Sequence, residues 1–155
     1  MKKCWPKCLL VLLLFVILEI LLYVWRQEVK ADQVSFAHKI DDAISYHEKN
    51  KTPYIDFSEI TDFPWDSLYI FVPYTSHEKI SKTLGFFWLG SRFTSIETND
   101  GIVLLVFVKG KHVVHYLEYG RKYDFAYVYK ENGYAVNDSR FVLGEKSRMI
   151  RLPND

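Results

Sequence analysis

The chain has 155 residues, with 20 Lys+Arg against 19 Asp+Glu and a net charge of +1, so no global field draws it to nucleic acid or another polyanion. Its composition is 49% hydrophobic and 17% aromatic with 7 Gly and 5 Pro, which excludes a disordered, collagen-like or low-complexity chain. Both cysteines, Cys4 and Cys8, lie at or before the start of an apolar run, leaving no disulfide framework, cysteine zinc site or cysteine nucleophile in the remainder.

Residues 8–25 are all apolar or aromatic except Glu19, long enough for a transmembrane helix. Trp5 and Trp25 bracket the run about 30 Å apart along a helix, which matches the two membrane interfaces. Lys2, Lys3 and Lys7 precede the run, whereas after it Arg26 and Lys30 are balanced by Glu28 and Asp32. The positive-inside rule then places residues 1–7 in the cytoplasm, residues 8–25 in the bilayer as a signal-anchor, 26–32 as a linker and 33–155 as an extracytoplasmic domain of a single-pass cell-membrane protein. A cleaved signal peptide is the competing reading, because Val29-Lys30-Ala31 loosely resembles a peptidase site; the length of the run and the charged flank favour an uncleaved anchor. Glu19 is costly at this depth unless it protonates, snorkels or contacts another membrane helix, and Tyr23 one turn on offers a hydroxyl.

Residues 33–50 carry Phe36, Ala37, Ile40, Ala43, Ile44 and His47 at helical spacing, an amphipathic helix either continuous with the span or joined to it by the linker, and ended by Lys51-Thr52-Pro53. Residues 67–72 read as a strand closed by Pro73. Thr75 with Glu78 forms a capping-box pattern for a short helix bearing Ile80 and Leu84 and ending at Gly85. Residues 93–97 lead through Asn99-Asp100-Gly101, a hairpin signal, into residues 102–108. Turns at Lys109-Gly110-Lys111, Gly120-Arg121-Lys122 and Asn132-Gly133 separate further predicted strands at 112–119, 123–130 and 134–137, with edge strands at 141–143 and 149–152. Residues 102–108 are apolar on both faces and predict a central strand covered on both sides. The fold class is therefore α+β: an antiparallel meander with an amphipathic helix and a short capped helix packed on one face.

Net charge hides an uneven distribution. Residues 40–78 hold eight acids against two lysines, and residues 79–155 hold twelve Lys or Arg against eight acids, an asymmetry that either steers a partner or is neutralised within the fold.

No Gly-x-Ser-x-Gly, Walker loop, dinucleotide-binding glycine pattern or His-Glu-x-x-His occurs, so no catalytic residue, cofactor or metal ligand is assigned. His112 and His115, three apart on a strand, face opposite ways unless a bulge intervenes. Asp56, Glu59, Asp62 and Asp66 beside Trp65 either solvate or cap a loop or, less readily, form a glycosidase carboxylate pair. Tyr123, Phe125, Tyr127 and Tyr129 alternate on a predicted strand, a face that stacks on a sugar or partner protein or else packs under the helices. Trp65, Asp66, Tyr74 and His77 form a second candidate binding site around the first long strand.

The segment from Phe63-Pro64-Trp65-Asp66 through Pro73-Tyr74-Thr75, then Ile80, Leu84-Gly85, Trp88 and Asp100-Gly101 with residues 102–108, resembles a family of small, uncharacterised bacterial envelope proteins anchored by a signal-anchor or a lipoprotein N-terminus. The likeness spans about residues 60–115 and implies no known reaction; the lipoprotein members' cysteine after the apolar run is missing here. Together these features predict a non-enzymatic membrane-anchored protein whose exported domain binds a protein or envelope polymer. Its partners are then the lipid bilayer and that ligand, with no nucleic acid and no cofactor. Alternatives are an immunity or inhibitor protein against an envelope-acting toxin or hydrolase and, at the lowest rank, a wall-glycan hydrolase.

Overall fold

The computed structural model describes residues 5–50, 54–144 and 150–152; Cys4, the predicted terminator Lys51-Thr52-Pro53 and Met149 of the last predicted strand lie outside the described residues. The chain divides into two units, Met1–Ser35 and Phe36–Asp155.

The first unit is helical. Helix α1 (Trp5–Lys49) begins in it, and the expected linker at 26–32, which lacks Gly and Pro and is rich in helix formers, is part of that helix. The large apolar side chains of residues 9–25 are 41–64% exposed, and the best eighteen-residue window has a mean hydropathy of 2.5 with none of it buried. A helix so apolar and so uncovered is long enough to cross a membrane, and a signal sequence has the same character.

In the second unit the last part of α1 turns Phe36, Ile40 and Ile44, one turn apart, into the core. Strands β2 (Ser67–Phe71), β3 (Ile102–Lys109), β4 (His112–Gly120) and β5 (Tyr134–Ala135) form an antiparallel sheet in the order β4-β3-β2-β5. Because β3 is apolar on both faces, it is covered on both. Val103, Leu105 and Phe107 join Phe36, Ile40 and Ile44 in one cluster, while Leu104, Val106 and Val108 meet Ile80 and Leu84 of α3 (His77–Leu84) in another. The two helices thus lie on opposite faces of the sheet, not on one as the sequence suggested; a strand this apolar leaves neither face free for solvent. At Phe107/Val108 the register slips, with Phe107 opposite His115 and Val108 opposite Val113. His112 is exposed there, while His115 stacks on Phe63 at 4.8 Å.

Three predicted details are corrected. Helix α3 is capped by Ser76, which accepts from Lys79 N at 3.1 Å, while the Thr75 hydroxyl donates to Val72 O at 2.6 Å. The expected strand at 93–97 and its hairpin are replaced by a 3-10 helix (Leu89–Phe93) and local turns. Thr94 donates to Ser91 O and Asn99 Oδ1 accepts from Gly101 N, so short polar side chains close this backbone on itself before a ladder forms. The expected strand at 123–130 is a 3-10 helix (Phe125–Val128) started by Asp124, whose carboxylate accepts from Ala126 N at 3.0 Å.

A second sheet, β1-β6-β7, joins β1 (Tyr54–Asp56) to β6 (Arg140–Leu143) and β7 (Ile150–Arg151). Asp56 ends β1 and caps α2 (Phe57–Ile60), accepting from Ser58 N at 3.0 Å and Ser58 Oγ at 2.6 Å and pairing with Arg140 Nε at 3.0 Å. Burial raises its pKa, but the Ser58 bonds and Arg140 outweigh that, and the carboxyl lies below its ordinary value. A depressed carboxyl contributes stability that is complete above the unfolded pKa of about 3.9 and is lost as pH falls through the folded value. Asp56→Asn is therefore expected to cost about 1–3 kcal/mol at neutral pH and to converge with the parent chain as the medium is acidified below that value, read from urea unfolding across the pH range.

Candidate functional site

The residues singled out from sequence do not form one site. Trp65 and Asp66 precede β2 and Tyr74 and His77 follow it, so its five residues hold the two pairs roughly 17 Å apart at about 3.3 Å per residue. Trp65 is 7% exposed, meets Phe107 edge-on at 5.3 Å and donates from Nε1 to Thr61 Oγ1 at 2.8 Å. Asp66 donates its N–H to Val108 O and accepts from Gly110 N, both at 2.7 Å, clamping the β3–β4 turn. Both residues build the fold.

Tyr74 and His77 are brought together with the 96–97 turn. Tyr74 is 65% exposed, has φ +64° and donates its N–H to Ile96 O at 2.8 Å. A bulky residue in the left-handed region costs about 1–2 kcal/mol, which this anchoring sustains. His77 donates its N–H to Glu97 Oε1 at 2.7 Å, and its Nε2 faces Glu97 Oε2 at 3.2 Å.

The aromatic quartet is likewise split by the 3-10 turn that replaces the strand. Tyr123 and Phe125 are buried, Phe125 among Phe57, Tyr119 and Phe141, whereas Tyr127 and Tyr129 point outward. Glu19 is exposed on α1 and, among the described residues, has no hydrogen-bond or ion-pair partner, Tyr23 included.

The four clustered acids are engaged in the fold. Asp56 and Glu59 approach Arg140 at 3.0 and 3.6 Å, Asp62 pairs with Lys39 at 2.7 Å, and Asp66 holds Gly110. The Lys39 hydrogen bond holds the Asp62 carboxyl below its ordinary pKa. Tyr119 is kept protonated by burial and by donating to Asp41, which Lys122 also approaches at 3.3 Å. Much of the charge asymmetry along the sequence is thus spent internally.

One concave feature was not anticipated. Helix α3 and the segment that follows it border an open cleft of about 270 Å³ lined by His77, Glu78, Ser81, Phe87, Ser91 and Arg92. Gly85, at φ +76°, ends α3 and reverses the chain. The Trp88 ring then packs edge-on against Tyr116 at 5.2 Å, while its backbone N–H donates to Ser81 Oγ at 3.4 Å and its carbonyl accepts from Ser91 Oγ at 2.9 Å. Gly90 leaves room for this placement: a Cβ there would come within 2.4 Å of the Trp88 indole nitrogen and displace the ring. With Trp88 turned inward, Phe87, Leu89 and Phe93 are left 54–70% exposed. The unbroken apolar run Phe86-Phe87-Trp88-Leu89 before a glycine was the signal in the sequence. Among the described residues no three His, Cys, Asp or Glu converge as a metal-binding set. No protein-family model, curated protein or solved structure matches the chain.

Proposed function

We propose that this chain is a single-pass membrane protein whose folded domain lies outside the cytoplasm and binds a protein or an envelope polymer without catalysing a reaction. The observation that carries this reading is the pairing, on one chain, of an uncovered apolar helix with a folded domain that exposes Tyr74, Phe87, Leu89 and Phe93. Aromatic side chains exposed next to a concave surface are the usual anchors of a binding face. The lysines before the apolar run support the orientation. The engagement of Asp56, Glu59, Asp62 and Asp66 by Arg140, Lys39 and Gly110 supports a binding role over glycan hydrolysis, which needs two carboxylates across a cleft.

A photo-crosslinking residue at Leu89 of the full chain in intact cells tests the reading. A discrete adduct that a protease or a glycan hydrolase removes, and that Phe87→Ser with Phe93→Ser abolishes without changing the chain's membrane retention, is expected. Absence of any adduct, or an adduct indifferent to those substitutions, overturns it.

A further inference from the structure

We propose that the pocket between α3 and the 87–92 segment binds a small zwitterion, a free amino acid or dipeptide, with Arg92 taking the carboxylate, Glu78 the ammonium and Phe87 the apolar side chain. This rests on the reading of the domain as a binding module and adds a small ligand, held in the pocket, to the macromolecular partner on the exposed face.

The pocket carries one full charge of each sign. Among the described residues neither Glu78 nor Arg92 has an ion-pair or hydrogen-bond partner, and they do not approach each other within 4.0 Å although both line the same cavity. Beside these two, His77 is tied to Glu97 through its backbone N–H and its Nε2, Lys79 is held by Glu131 at 3.1 Å, and Lys82, one turn on from Glu78, does not line the pocket. Each charge selects against a ligand of one sign. A simple anion suits Arg92 but meets Glu78, a simple cation suits Glu78 but meets Arg92, and a neutral sugar displaces water from both charges while neutralising neither. A ligand with a carboxylate at one end and an ammonium at the other satisfies both, and a planar guanidinium grips a carboxylate with two parallel hydrogen bonds.

The volume agrees. About 270 Å³ holds about nine waters at roughly 30 Å³ each, room for a ligand of about ten non-hydrogen atoms, the size of alanyl-alanine. Phe87, 70% exposed, offers its ring to the ligand's methyl groups, and the buried Ser91, tied to the Trp88 carbonyl, fixes the wall from which Arg92 projects.

The test titrates the full chain in detergent micelles with alanyl-alanine, followed by calorimetry or by ligand-observed NMR, alongside the N-acetylated dipeptide and the dipeptide amide. Saturable binding with a Kd of about 1 mM or tighter is expected. N-acetylation and amidation should each weaken it about tenfold or more. Glu78→Gln should weaken the parent dipeptide but not the N-acetylated form further, and Arg92→Gln should do the same for the amide. Both side chains are on the surface, and unchanged thermal unfolding of the variants confirms that the fold persists. Absence of saturation, or losses that fail to follow the matched charges, overturns the proposal. The two modified dipeptides probe the same pair of charges on the parent chain without any substitution. Since the Leu89 crosslink reads a partner on the exposed face and not the filling of the pocket, failure here is separable from failure of the binding reading itself.

Discussion

Phe107→Ala is expected to lower the unfolding free energy of the domain by about 3–5 kcal/mol, the range for truncating a fully buried aromatic. Phe107 has no exposed surface and lies at the meeting of four aromatic rings: Phe36 at 5.5 Å, Phe57 at 5.8 Å, Phe63 at 5.3 Å and Trp65 at 5.3 Å. These belong to three stretches of chain, α1, α2 and the loop before β2, which supplies two of the rings, all converging on the face of β3 that carries Phe107. Removing the ring leaves a cavity that no single neighbour can fill without breaking other contacts. Domains of this size are stable by about 5–15 kcal/mol, so the loss is a large fraction of the total. Tyr127→Ala, at a residue 63% exposed, should shift stability by no more than about 0.5 kcal/mol. Urea unfolding of the full chain in micelles, followed by tryptophan fluorescence, reads both. Equal losses for the two substitutions would place the core elsewhere.

The second large effect concerns the apolar helix. Residues 9–25 contain fourteen Leu, Ile, Val and Phe, each worth about −0.3 to −0.6 kcal/mol for insertion near the centre of a span. Leu13→Arg with Ile17→Arg adds about 2.5–3.5 kcal/mol per arginine and removes two favourable residues, which offsets most of that sum. The doubly substituted chain is expected to leave the alkali-resistant membrane fraction, whereas the parent chain stays in it. Glu19→Leu should act in the opposite sense, leaving insertion intact or improved. If Glu19 also joins one span to another, crosslinking between spans falls for Glu19→Leu and survives in part for Glu19→Gln, whose amide still hydrogen-bonds between helices.

What the amino-acid order made legible was whatever depends on local pattern. The alternating and doubly apolar runs located β2, β3 and β4, and the four-residue spacing of Phe36, Ile40 and Ile44 located the buried stripe of α1. Gly85 and the turn at Gly110 ended their elements as expected. Local pattern failed where a competing local bond won. Tyr123, Phe125, Tyr127 and Tyr129 alternate like a strand, but Asp124 accepts from Ala126 N and starts a 3-10 turn, scattering the rings between core and solvent. Strand β1 is three residues long and pairs with a strand more than eighty positions later, a contact no window of sequence contains. The grouping of Trp65, Asp66, Tyr74 and His77 relied on closeness along the chain, whereas an extended strand converts that closeness into distance. The pocket was hidden for a related reason: it depends on which of four adjacent apolar side chains turn inward, Phe86 and Trp88, and which stay outside, Phe87 and Leu89.

The most direct test of an anchored, exported domain uses the lack of cysteine beyond residue 8. With Cys4→Ser and Cys8→Ser as background, Asn132→Cys introduces one thiol at an exposed turn of the domain. A membrane-impermeant maleimide applied to intact cells is predicted to label that thiol fully, on a chain of undiminished length recovered in the membrane fraction. Labelling that appears only after the cells are permeabilised, or a labelled chain shortened and released from the membrane, would contradict the account.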